Sequence, residues 1–288
     1  MISYRHHIVS LVAVFLALAV GIVLGGGPLT DLGRDDDPAA ATTHEQRAVA
    51  QTASYGDDFA AASATTLYAG GLKDHTVSIV TLPGADGDEV SALGAQVEAA
   101  GGTVTGTYDV QPALTDPGQK SLVDTLGSQL MTQLGSGAVT TDAPTYDRIG
   151  QLIGLGVSGS DLPSADVSTV RESLSGAELL TTPDGATRGQ VVLVVLGDEA
   201  DPAILSGLAS GLAAKATGVV VVGDTASAAS AGDLTGLRAE TGAEKVTTVD
   251  GADTPLGQVT AVLALIRSLT VQGGSFGASG SDGTVPVT

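Results

Sequence analysis

The run Ile8–Leu24, IVSLVAVFLALAVGIVL, constrains this chain more than any other stretch. It holds no charge, and Ser10 is its only polar side chain. As a helix it spans roughly 25 Å, and Gly25 to Leu29 extend it toward the ~30 Å hydrocarbon core of a bilayer. Arg5, His6 and His7 precede it, while Asp31 and Asp35-Asp36-Asp37 follow, with Arg34 as the basic neighbour. The positive-inside tendency puts the N-terminus in the cytoplasm and the residues after about 30 outside it. The sequence therefore predicts a single-pass cell-membrane anchor, with Ile8, Phe15 and Leu24 among the residues that meet lipid. The rival reading is a cleaved signal peptide, with Ala17-Leu18-Ala19 before the cut and the mature protein in the outer membrane or elsewhere in the envelope. Val20, Ile22, Val23 and Leu24 continue the apolar run where a signal peptide would turn polar. Both readings leave the body of the chain outside the cytoplasm.

Composition narrows what that body can bind. Among 288 residues, 12 Lys and Arg face 32 Asp and Glu, a formal net charge of −20. So few cations cannot neutralise a phosphate backbone, which argues against nucleic acid, and they disfavour anionic lipid beyond the anchor itself. There is no Cys, hence no disulfide framework and no thiolate metal site. Trp is absent and aromatic residues make up 3% of the chain, so stacking platforms for bases or sugars are not expected.

After the anchor, Leu29 to Thr43 is polar and acidic. A helix is predicted from about Thr43 to Tyr68, where Ala48, Thr52, Tyr55, Phe59, Ala62 and Thr66 recur at spacings of four and three. This is either a short stalk or dimer contact, or a lone amphipathic helix lying on its own domain. Strands are predicted at Thr76–Leu82, Thr103–Val110, Val191–Leu196, Gly218–Val222 and Lys245–Val249, with helices between them. Between Gln111 and Gln190 the pattern is weaker. A helix begins near Asp116-Pro117 with Leu122, Leu126, Leu130 and Leu134 on one face, and further helices run over about Thr145–Leu155 and Asp166–Leu174. The expected fold is a doubly wound, mostly parallel five-stranded α/β sheet. The corresponding divisions are a tip and anchor (1–30), a linker and helical stalk (31–70), an extracytoplasmic α/β domain (71–272) and a Gly/Ser-rich, extended tail (273–288).

Four of the five strands end in a Gly/Asp turn: Pro83-Gly84-Ala85-Asp86, Gly197-Asp198-Glu199, Gly223-Asp224 and Asp250-Gly251-Ala252-Asp253. In a parallel sheet these fall on the carboxyl edge, where such folds bind ligands. Several carboxylates there, with no obvious basic partner, suit a cation or cationic group. Equally, each Asp can cap the following helix, and Asp253-Thr254 before Pro255 suits a cap with Pro in the first turn.

Catalytic motifs are discounted on context. Gly154-Leu155-Gly156-Val157-Ser158-Gly159 matches GxGxxG but follows no clear strand. Gly273-Gly274-Ser275-Phe276-Gly277 matches the serine elbow GxSxG, yet a predicted helix precedes it and no His follows. Two extracytoplasmic His and no Cys supply no nucleophile–base pair, so the protein is expected not to be an enzyme. The metal-ligand candidates are His44 and His75 with the edge carboxylates Asp198, Asp224 and Asp250; solvated histidines are the plainer reading. Soft copper(I) would want several thiolates or thioethers, and the only Met besides Met1 is Met131.

Three blocks together, Met1–Gly25, Ile79-Val80-Thr81-Leu82-Pro83-Gly84-Ala85-Asp86 and Val246–Val259, resemble the actinobacterial MctB family, described as copper transport outer membrane proteins and including SteB-like cell-separation proteins. The resemblance implies an envelope protein of copper homeostasis or copper transport, with copper as its ligand. Alternatively, it implies a non-catalytic scaffold that regulates peptidoglycan hydrolases through a membrane partner. The partners implied are membrane lipid through the anchor and an envelope protein or a second copy of the chain. The chain departs from the family in a stalk poor in Leu and charge, and in Ser275-Phe276-Gly277 where relatives carry a His-Tyr-Gly-like triplet. Buried parallel strands do not make an outer-membrane barrel, which needs amphipathic strands of about ten residues. The copper role thus rests on the resemblance.

Overall fold

Val191–Val195 (β4) and Gly218–Val222 (β5) are buried at every position, so both faces of the sheet they form are covered. The computed structural model describes residues 38–286 except 136, 160, 161 and 199, and side chains from residue 46 onward. The predicted anchor, with Ile8, Phe15 and Leu24, lies outside the described residues, and among those described no helix is long and apolar enough to cross a membrane. The chain divides into two compact units, 1–55 and 56–288. In the first, the described residues are the opening turns of helix α1 (Pro38–Tyr68); the sheet and the other helices belong to the second.

The sheet has seven strands rather than five, in the order β3-β2-β1-β4-β5-β6-β7. The five predicted strands are β1 (Thr76–Thr81), β2 (Thr103–Val110), β4, β5 and β6 (Thr247–Val249). They pair in parallel, and the strand order reverses between β1 and β4. At one border β3 (Leu180–Thr181) adds two antiparallel residues to β2. At the other, the tail is not simply extended. Its residues Gly274–Phe276 form β7, parallel to β6.

Period-two alternation splits the core into two layers. Val80, Val192, Val194, Val219 and Val221 point to one face. There they meet α4 (Lys120–Leu134), α5 (Thr145–Val157), α6 (Ser164–Gly176), α7 (Pro202–Ala213) and α8 (Asp233–Ala239). Ile79, Val191, Leu193, Val195, Val220 and Val222 point to the other face. It is covered by the end of α1, by α2 (Gly87–Ala99) and by α9 (Pro255–Ser268). A short turn of helix, α3 (Pro112–Thr115), leads into α4.

Two predicted helix faces differ, one in part. On α4 the predicted Leu126, Leu130 and Leu134 pack on the core, but Val123 and Gly127 are buried as well and Leu122 is 42% exposed. On the last three turns of α1, Ala60, Ala64 and Tyr68 are buried and Tyr68 Oη donates to Gln96 Oε1 of α2 at 2.7 Å. The heptad positions Phe59, Ala62 and Thr66 face outward. The last turns of the helix, within the second unit, lie on that unit through Ala60, Ala64 and Tyr68, not through the predicted stripe.

Candidate functional site

In a sheet of this order the ligand crevice opens outside the carboxyl ends, between the first strands on either side of the reversal. Here those strands are β1 and β4, and the loops that follow them close on each other. Leu82 N donates to Val195 O at 2.9 Å and Asp198 N donates to Pro83 O at 2.7 Å. Gly197 lies so near the Pro83 carbonyl and the Ala85 amide that a Cβ there would collide with both. Gly84, with φ +80°, would likewise run its Cβ into the Asp198 carboxylate. The crevice is therefore filled by backbone.

The aspartates around it are mostly tied into caps and turns. Asp86 caps α2, accepting from Asp88 N at 2.7 Å and Glu89 N at 3.2 Å. The α7 cap is not Asp198 but Asp201, which accepts from Ala203 N at 2.9 Å; Asp198 lies three residues too early and rests against Gly84. Asp224 accepts from Ser227 N at 2.7 Å. Asp253 accepts from both the amide and the hydroxyl of Thr225 at 2.8 Å, tying the β5 loop to the β6 loop. It leaves the α9 cap to Thr254, which accepts from Gly257 N at 3.1 Å ahead of Pro255.

Asp250 differs from the others because it is 3% exposed and has a basic partner that the sequence did not reveal. Arg238 Nη1 on α8 lies 3.2 Å from Asp250 Oδ2. Ser279 Oγ (2.6 Å), Ser279 N (3.1 Å) and Ala278 N (2.7 Å) also donate to this carboxylate. Burial pushes its pKa up, but the Ser279 hydroxyl and amide, the Ala278 amide and Arg238 outweigh it and hold the carboxyl below the usual range. The same guanidinium donates to Thr248 Oγ1 and to Phe276 O, so Asp250 and Arg238 together pin the tail to the end of β6.

Glu89, in the first turn of α2, was not singled out from the sequence. Its Oε1 is shut off from solvent and has no hydrogen-bond partner among the described residues. Burial, then the charges of Asp224, Asp253 and Asp86, push its pKa up to about 7. An acidic residue in a first helical turn is ordinary, so no sequence signal set it apart.

The other candidates stay apart. His75 sits before β1, at the amino edge, with Nδ1 2.7 Å from Gln190 Oε1. The length of β1 separates it from Asp198, Asp224 and Asp250, roughly 20 Å at the rise of a strand. His44 lies in α1, with its side chain outside the described set. Met131 packs on the core from α4. Among the described residues no three His, Asp or Glu are placed to hold a metal ion. Ser275 lies on β7, where its amide donates to Asp282 Oδ2 at 2.8 Å. Of the GxGxxG glycines, Gly154 and Gly156 belong to α5 and Gly159 follows its C-cap, Ser158. A Cβ on Gly150 of the same helix would strike Leu208 O of α7, and one on Gly211 of α7 would strike Asp147 O. Glycine here serves close helix packing.

Fold and edge together define a three-layer α/β domain whose carboxyl crevice is sealed by its own loops and ringed by carboxylates. The family model described as copper transport outer membrane protein, MctB, matches residues 1–287, and the chain belongs to that family. It is 28% identical to the copper transporter MctB of Mycobacterium tuberculosis (strain H37Rv) over 313 residues, covering 100% of this chain and 99% of that protein. To the copper transporter MctB of Mycobacterium leprae (strain TN) it is 28% identical over 292 residues, 92% of each chain.

Proposed function

We propose that the chain is a non-catalytic envelope protein that takes part in copper handling, held at the membrane by Ile8–Leu24 with its α/β domain outside the cytoplasm. The observation that carries this reading is the family match over residues 1–287, which takes in anchor and domain together. The apolar run and its charge asymmetry support the topology. Copper enters this reading as cargo. The domain then acts through what it presents to other envelope components.

A second reading is favoured by the sealed crevice: a scaffold that recruits or regulates cell-wall enzymes through a membrane partner. A sheet edge filled by its own loops fits a module that works by its outer surface.

Titration of the purified full-length chain with copper(I) and copper(II) under chelator competition separates the two. Tight stoichiometric binding, lost on changing His44, His75 or the edge aspartates, supports direct copper handling. Binding no tighter than any acidic surface shows makes the copper link indirect and moves the scaffold reading ahead. In cells, copper-sensitive growth of a deletion strain supports the first reading and chained, unseparated cells the second. A deletion strain with neither phenotype would sink both.

A further inference from the structure

The carboxyl edge holds one acid whose position is at odds with its charge. Ionised Glu89 would place one carboxylate oxygen, Oε1, where neither solvent nor a donor reaches it, and a half-buried charge without a partner is costly. Its surroundings make this worse. Asp86, the α2 cap, lies one turn back, Asp224 follows β5 and Asp253 precedes α9; all three charges act on Glu89. The other elements at this corner add carboxylates too. Asp198 lies against Gly84, and Asp57 of α1 accepts from Leu256 N at 3.3 Å. Residues 76–110, 196–201 and 223–232 contain no Lys or Arg. Of the nearby basic residues, Lys73 and Arg267 sit at the amino edge, beside Gly101 and Gly273, and Arg238 at the carboxyl edge is paired with Asp250. The surrounding carboxylates cannot simply swing away. Asp86, Asp224 and Asp253 are each fixed by backbone amides of separate loops.

We propose that this corner is a proton-operated clasp: protonated Glu89 lets the start of α2 close against the loops after β5 and β6, and ionised Glu89 drives them apart. The inference rests on the edge geometry and is independent of the copper reading. Because the pKa of about 7 lies above the ordinary 4.5, the folded state holds this proton more tightly than the unfolded chain does. The destabilisation is complete above about pH 7 and is relieved as pH falls from there toward 4.5.

The test compares the full-length wild type with Glu89→Gln, which keeps the shape and removes the charge. At about pH 8 the variant should melt higher by on the order of a few degrees, and the gap should shrink as pH falls through 7 and close by about pH 4, where Glu89 is protonated in both the folded and the unfolded chain. Acids that do not interact with Glu89 titrate alike in both proteins and cancel in the difference. A gap of constant size, or none, overturns the proposal. Amide exchange corrected for intrinsic rate localises the effect. Segments 82–90, 223–232 and 250–256 should open more at about pH 8 than at about pH 5.5 in the wild type and equally in the variant. Exchange that changes uniformly across the domain overturns the clasp. A carboxyl-carbon NMR titration of Glu89 adds a readout that needs no stability change. A midpoint near 7 that moves down in Asp224→Asn is expected, and a midpoint in the ordinary glutamate range overturns the proposal.

Discussion

Asp250 and Glu89 are both acids of the carboxyl edge, and their partners give them opposite behaviour. Asp250 accepts from a hydroxyl, two amides and a guanidinium, whereas Glu89 Oε1 accepts from nothing described. Asp250→Ala would leave the Arg238 charge and the Ala278 and Ser279 amides without their acceptor. A loss of about 3 kcal/mol or more is expected, read as a lower urea midpoint, with faster exchange in the tail than in β4. The pH dependences also differ in sign. The folded pKa of Asp250 is lowered, so its contribution is complete above the unfolded value of 3.8 and is lost as pH falls through the folded value. Glu89 works the other way, and its penalty grows as pH rises from 4.5 to about 7. The wild type should therefore melt highest between the two windows, on the acidic side of neutrality. Neither role was legible in the sequence. Arg238 reaches Asp250 across the end of the sheet from another helix, and Glu89 matters because of loops 130 or more residues later, which no local pattern reports.

At the scale of elements, α5 and α7 meet through glycine, with Gly150 and Gly154 on one helix and Gly207 and Gly211 on the other. Gly211→Ala should force the helices apart at a cost of about 1–3 kcal/mol. Gly87→Ala is the control. It sits in the first turn of α2 with nothing within 4 Å of a new Cβ, and it should be neutral or stabilise by up to ~1 kcal/mol. Thermal melts of both variants check the contrast, and equal effects would refute the packing account. The strands were legible because Val191–Val195 and Gly218–Val222 are apolar on both faces, and nothing but a buried strand suits such runs between Gly-rich turns. What escaped is equally physical. The two residues of β3 are too few to show a period, and so are the three of β7, Gly-Ser-Phe, which lead into the tail held at Asp250. On α4 a leucine at every fourth position suggests the buried stripe, and Leu126, Leu130 and Leu134 do pack on the core; four residues overshoot a 3.6-residue turn, so Leu122 is exposed and Val123 and Gly127 are buried beside them.

For the molecule as a whole, a net charge of −20 means that the folded state confines mutual repulsion. Added salt should raise the melting temperature at neutral pH, more for the wild type than for Glu89→Gln if screening reaches the edge cluster. The same acidity keeps the domain from polyanions, in line with a protein of the envelope. One further consequence follows from how the tail ends the sheet. Along β7 the outward amide of Ser275 donates to Asp282 Oδ2, and its carbonyl receives the Asp282 amide at 3.0 Å. Gly277 N donates to Thr284 O at 3.2 Å. The strand that borders the sheet therefore has its hydrogen-bonding groups spent within its own chain. Copies brought side by side cannot knit together strand to strand there, so this border lends itself neither to β-type polymerisation nor to capture of an extended peptide, even at high local density.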